Sequence, residues 1–113
     1  MTWKNQHAAI EIRYGPFKMK TERLGGIGDD VTEPVFSDSY MNGGRTYEVD
    51  VPNAEAAMRR QFWSTLETHG PYHLERNSCA TYCGDILRAG GLDVPGTSFA
   101  LGQWLVKNAR RLS

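Results

Sequence analysis

Asn77-Ser78-Cys79-Ala80-Thr81-Tyr82-Cys83-Gly84-Asp85-Ile86-Leu87 is the stretch from which the rest of the chain is read. It sets a polar capping pair before a cysteine and an amphipathic helix after it. Either Asn77 or Ser78 can cap, because each side chain accepts a hydrogen bond from an otherwise unpaired first-turn N–H. Tyr82, Cys83, Ile86 and Leu87 have the spacing of one apolar helical face. Gly90 and Gly91 stop the helix, since glycine enters the left-handed conformation of a helix end at no steric cost. Cys79 thus falls in the first turn. There the peptide dipoles place partial positive charge and favour a thiolate, which makes Cys79 a candidate nucleophile.

Working back from this helix, Asn53 caps an earlier one, from Ala54 to about Thr68. Ala54, Met58, Phe62 and Leu66 recur every four residues as its buried stripe, and Trp63 widens it. Gly70-Pro71 closes it, and residues 72–76 link it to the cysteine helix. Further back, residues 6–14 alternate in the period of a half-buried strand, with Ala8, Ile10 and Ile12 on one face and His7, Ala9, Glu11 and Arg13 on the other. Tyr14-Gly15-Pro16 is a turn, and residues 17–24 read as the returning strand. Residues 25–45 read as a long irregular connection, either the rim of a functional cleft or a surface loop. Residues 46–51 alternate as a third strand, ended by Pro52. Forward from the cysteine helix, Ser98 can cap a last helix through Leu101, Trp104, Leu105 and Ala109. Lys107, Arg110 and Arg111 sit near its end, where cations suit the dipole. The order predicts one α+β domain over residues 1–113, a small antiparallel sheet packed against three helices.

Composition narrows the function. Thirteen basic and thirteen acidic residues balance, and no basic stripe offers a surface for nucleic acid. No run approaches the roughly 20 apolar residues of a membrane span. The first residues lack the apolar core of a signal peptide, so the chain is expected to be cytosolic where it is made. Two cysteines four apart on one helix are not a disulfide framework. Nor do they make a metal site, since two further ligands at a fitting spacing are absent; no cofactor is expected. Gly25, Gly26 and Gly28 lack a following helix signal, which leaves phosphate binding weakly supported.

A thiol needs a base or a positive dipole to act as a nucleophile, and histidine is the usual base. Of His7, His69 and His73, His7 stands on a strand, a rigid platform, and is the preferred base. His73 is nearer in sequence but would have to fold back over the helix start. A third group should orient the imidazole. A hairpin about Gly15 sets Glu22 near His7; Glu11, farther along the same strand face, is the rival. Cys83 reads as a small buried hydrophobe, the commoner fate of a cysteine.

The stretch Asn77-Ser78-Cys79-Ala80-Thr81-Tyr82 resembles the Asn-Cys-x-x-Phe motif of NlpC-type, papain-like cysteine hydrolases. It is more similar to their circularly permuted branch, which includes lecithin:retinol acyltransferase-like proteins, because the histidine strand at residues 6–12 precedes the cysteine helix. Residues 72–77 and 86–92 also look like bacterial members, toxin domains of secreted effectors among them. There are two departures. Ser78 is inserted between Asn77 and Cys79, and no second histidine follows His7 on the next strand. The resemblance implies a papain-like fold, a thioester acyl-enzyme on Cys79 and amide or ester chemistry. By analogy it implies a cell-wall peptide as substrate, action in a target-cell periplasm and an immunity protein as partner. An acyltransferase or deamidase using the same residues, and a non-catalytic binding module on the same scaffold, are the alternative readings.

Overall fold

A computed structural model describes residues 1–4, 7–23, 34–36, 45–64 and 78–112; of these, residues 2–4, 7, 22, 23 and 34–36 are described by their backbone alone. In chain order the elements are β1 (Thr2–Lys4), β2 (His7–Tyr14), β3 (Phe17–Arg23), β4 (Pro34–Phe36), β5 (Arg45–Glu48), α1 (Ala54–Ser64), α2 (Cys79–Ala89), α3 (Ser98–Asn108) and β6 (Arg110–Arg111). The strands form one sheet in the order β4-β3-β2-β1-β5-β6, and each described pairing is antiparallel. This is the expected α+β class.

The β2–β3 hairpin turns on Gly15 and Pro16, with Tyr14 opposite Phe17. Gly15 has φ +56°, and proline holds the next φ negative. Of the two tight hairpin turns this leaves type II′, whose twist matches the strands it joins. Ala8, Ile10 and Ile12 enter the core from β2, as the alternation predicts. Ala9 is buried as well, on the other face.

α2 is the central helix and packs against β2, α1 and α3. Tyr82, Cys83, Ile86 and Leu87 are all buried, so the expected face is the observed one. Its end differs in detail. Gly90 keeps an ordinary helical φ of −79°, and Gly91 alone takes the positive value, +97°. Gly90 is needed for space: a methyl group there would overlap Val51 Cγ1 and press on Ala57 Cβ at 3.1 Å. The Gly90 carbonyl accepts from the Asn53 N–H at 2.8 Å, which ties the α2 end to the α1 start. Asn53 caps α1 as expected, its Oδ1 accepting from the Ala56 N–H at 3.0 Å.

α1 is rotated from the expected setting. Its buried residues are Ala57, Gln61 and Ser64, while Phe62 and Trp63 are exposed and stack edge to face. Leu66 and the expected end at Thr68 lie outside the described residues. Two local demands set this rotation. Small Ala57 admits the close approach of Gly90, and Gln61 answers polar groups on the sheet. Its Nε2 lies 2.9 Å from the Met19 carbonyl, 2.8 Å from Thr21 Oγ1 and 3.3 Å from the Ile10 carbonyl. Thr21 Oγ1 in turn shares a 2.5 Å hydrogen bond with the Tyr82 hydroxyl. Gln61 Oε1 has no partner among the described residues.

Three strands escape the periodicity argument. β1 and β4 have three residues each and β6 two, too short to display a period. β4 falls within residues 25–45; the rest of that connection lies outside the described residues. α3 stops at Asn108, so Arg110 and Arg111 pair with Glu48 and Tyr47 instead of ending the helix. The third strand pairs only over Arg45–Glu48, yet Tyr47, Val49 and Val51 all pack on the core while Asp50 is exposed. That is the period of two continuing without a neighbour.

Candidate active site

Cys79 is the first residue of α2, and Ser78 is its N-cap. The cap is reciprocal: the Ser78 N–H donates to Thr81 Oγ1 at 2.8 Å, and the Thr81 N–H points to Ser78 Oγ at 3.5 Å. The Thr81 hydroxyl also donates to the Ser78 carbonyl at 3.0 Å. Threonine here plays the part that glutamate or glutamine takes in the usual capping box. Ser78 Oγ and Ser98 Oγ are 3.0 Å apart, which pins the start of α3 to the start of α2. Ser98 was expected to cap α3; Thr97 occupies that position instead. Asn77, the other candidate cap for α2, lies outside the described residues. Replacing Ser78 with Ala removes a buried cap and is expected to lower stability by about 1–2 kcal/mol, read as the midpoint shift in urea unfolding.

The thiol is nearly enclosed. Cys79 is 7% exposed and belongs to the core cluster with Ala8, Tyr82 and Cys83. Neither cysteine is in a disulfide, and Cys83 is fully buried, as expected for a structural residue.

α2 packs on β2. Near its end, Leu87 shares a cleft with Ile12 and Val51. One turn after its start, Tyr82 reaches Thr21, the strand partner of Ile10. Cys79 precedes Tyr82 by three residues, about one turn nearer the helix start. The parity of the strand sets position 7 apart from the core residues of β2. Ala8, Ile10 and Ile12 share the core with Cys79, and position 7 alternates with them. It has the parity of Ala9 and Glu11. Of the expected triad only Cys79 is described to its side-chain atoms; the side chains of His7 and Glu22, and all of His69 and His73, lie outside the described residues.

Register separates the two candidate carboxylates. Glu22 pairs with Ala9, which makes it a diagonal neighbour of position 7 on the same face. Glu11 is four strand residues from His7, about 13 Å. It also faces Lys20 across the pair and is bonded to Arg13 at 2.8 Å. Glu22 is therefore the better placed of the two. Among the described residues, no group of three or more His, Cys, Asp or Glu could hold a metal ion, and no helix is long and apolar enough to cross a membrane.

A concavity that the sequence did not reveal has no Cys79 in its lining. It has a volume of about 570 Å³ and opens between β2 and residues 46–51, with Leu87 and Ala54 from the helices also lining it. Finding it from sequence requires knowing that β1 lies between β2 and β5. The Met1 amine donates to the Tyr47 carbonyl at its edge, 2.8 Å away. Burial holds that amine below the usual α-amino pKa, against the opposing pull of Cys83 and Glu11.

Fold and site thus define an α+β domain that opens its central helix on a cysteine. No protein-family model matches the chain, and neither the curated proteins nor the solved structures contain a match to it.

Proposed function

We propose that the chain is a small cysteine hydrolase of permuted NlpC-type, papain-like fold, cleaving an amide bond. Cys79 is the nucleophile, His7 the base and Glu22 the group that orients the imidazole. The observation that carries this reading is the setting of Cys79. It is the first residue of a helix whose start is locked by the reciprocal Ser78–Thr81 bonds. The first turn of a helix carries partial positive charge, a setting suited to a sulfur that attacks a carbonyl.

In the reaction, the imidazole removes the thiol proton and the sulfur adds to the carbonyl carbon. The Cys79 N–H helps hold the oxyanion. The amine leaves with the proton returned by the imidazole, and a thioester remains. Water, deprotonated by the same imidazole, then releases the acid and restores the thiol. By family analogy the substrate is a peptide amide of bacterial cell wall, and the domain acts as an effector in a target-cell periplasm, held in check by an immunity protein.

A second reading, a non-catalytic binding module, is favoured by the near-complete burial of Cys79 and by the parity of position 7. Alkylation separates the two. In the hydrolase, iodoacetamide labels Cys79 of the folded chain, identified by peptide mapping, and His7→Ala slows that labelling at least tenfold. No labelling of the folded chain, or a rate that His7→Ala leaves unchanged, leaves the binding module.

A further inference from the structure

The β2–β3 hairpin ends in a run of exposed residues, from Arg13 through the turn to Lys18. Tyr14 and Phe17 face each other beside the turn and are 44% and 63% exposed. They carry the strand parity of Ile10 and Ile12, which are buried, but they lie past the end of the core. The Tyr14 hydroxyl reaches Glu55 Oε2 only at 3.4 Å, and Glu55 is itself bonded to Arg59 at 2.6 Å. The next pair back, on the opposite face, is Arg13 against Lys18. Like charges set directly across a strand pair are destabilising. Glu11 offsets the Arg13 charge at 2.8 Å; Lys18 has no ion pair among the described residues. Down the hairpin axis the order is therefore turn, aromatic pair, cation pair, with about 3.4 Å from one pair to the next. A two-residue turn containing proline holds this order before anything binds.

We propose that the hairpin tip inserts into the surface of a membrane that contains anionic lipids. Shape, layering and charge select that occupant. Exposed residues wrapped around a tight turn make a projection, not a cavity, and a fluid apolar layer closes around a projection without a matching pocket. The layering is that of a membrane boundary. Aromatic rings sit where headgroups meet acyl chains, and cations one residue farther out lie among the phosphates. The charge follows from the register: lipid phosphates remove the cost of placing Arg13 against Lys18. Both strands and the turn are internal to the chain and paired with each other, so the tip is formed by its own hairpin. This binding does not depend on the chemistry assigned to Cys79.

The test is co-sedimentation of the full chain with extruded vesicles, either phosphatidylcholine alone or phosphatidylcholine mixed equally with phosphatidylglycerol. The expected result is saturable binding to the mixed vesicles, at least tenfold tighter than to phosphatidylcholine and weakened by salt. Tyr14→Ser/Phe17→Ser and Arg13→Gln/Lys18→Gln should each weaken that binding at least tenfold, with a cooperative urea transition showing that both variants are folded. Phe62→Ser/Trp63→Ser alters the exposed aromatic pair of α1 and should bind as the parent does. No binding to the mixed vesicles at millimolar lipid overturns the proposal and leaves the tip to a protein partner. Undiminished binding of Tyr14→Ser/Phe17→Ser overturns it in favour of adsorption by charge alone. Loss in the Phe62→Ser/Trp63→Ser variant equal to that in the tip variants overturns it by moving the contact to α1.

Discussion

Cys79→Ala is expected to abolish turnover, by roughly 10⁴-fold or more, while leaving the chain folded. Removing the nucleophile of a covalent mechanism leaves only what binding and the oxyanion donors supply, and in such sites that remainder is small. The structural effect is minor by comparison. A single sulfur is lost from the core, worth about 1 kcal/mol on the scale of small-cavity substitutions. The measurement is product release from purified peptidoglycan by mass spectrometry, beside a urea unfolding curve of the same variant. Undiminished release in a folded Cys79→Ala chain would end the hydrolase reading. His7→Ala asks the separate question of the base. If it retains activity and His73→Ala does not, the proton passes through the link before α2 and the strand histidine is structural.

Gly90→Ala should destabilise the fold by about 2–3 kcal/mol, near the upper range for overpacking. Two effects oppose each other. The backbone at Gly90, the helix C-cap, is right-handed with φ −79° and ψ 0°, so alanine fits it without strain and gains up to about 1 kcal/mol by narrowing the unfolded chain. Against this, the new methyl meets Val51 Cγ1 head on, Ala57 Cβ at 3.1 Å and the Asn53 carbonyl at 3.4 Å. Val51 has a short, stiff side chain. The Asn53 N–H to Gly90 carbonyl bond, at 2.8 Å, holds the two segments together and prevents them from separating cheaply. The overlap wins. For a domain this size the loss corresponds to roughly 10 °C in Tm. Gly102→Ala is the control: it lies within α3 with nothing near a new Cβ, and it should be neutral or slightly stabilising. Equal behaviour of the two variants would remove the packing account of Gly90.

The contrast between α2 and α1 marks what the sequence made legible. α2 was readable because cap, apolar period and stop all point the same way and all are local. α1 was readable as a helix but not in its rotation. The large residues Phe62 and Trp63 attract a burial assignment, yet the face that packs is chosen by the needs of Gly90 and Thr21, which are remote in sequence. β1 and β6 exist only because β5 lies between them, and no two- or three-residue segment announces that. The site divides in the same manner. The position of Cys79 follows from its own helix. Its relation to His7 depends on which face of β2 meets the core, and the alternation of Ala8, Ile10 and Ile12 already marked that face, with position 7 on the other.

Gln61 bears on how the molecule comes apart. One side-chain amide spans carbonyls on both arms of the hairpin and a threonine that is itself joined to α2. Sliding β3 by one residue would turn Thr21 to the opposite face and leave that amide with nothing to grip. Hairpin alignment, helix docking and the central helix are thus fastened by a single bolt. Melting should be all-or-none, with no stage in which the hairpin persists after α1 has departed.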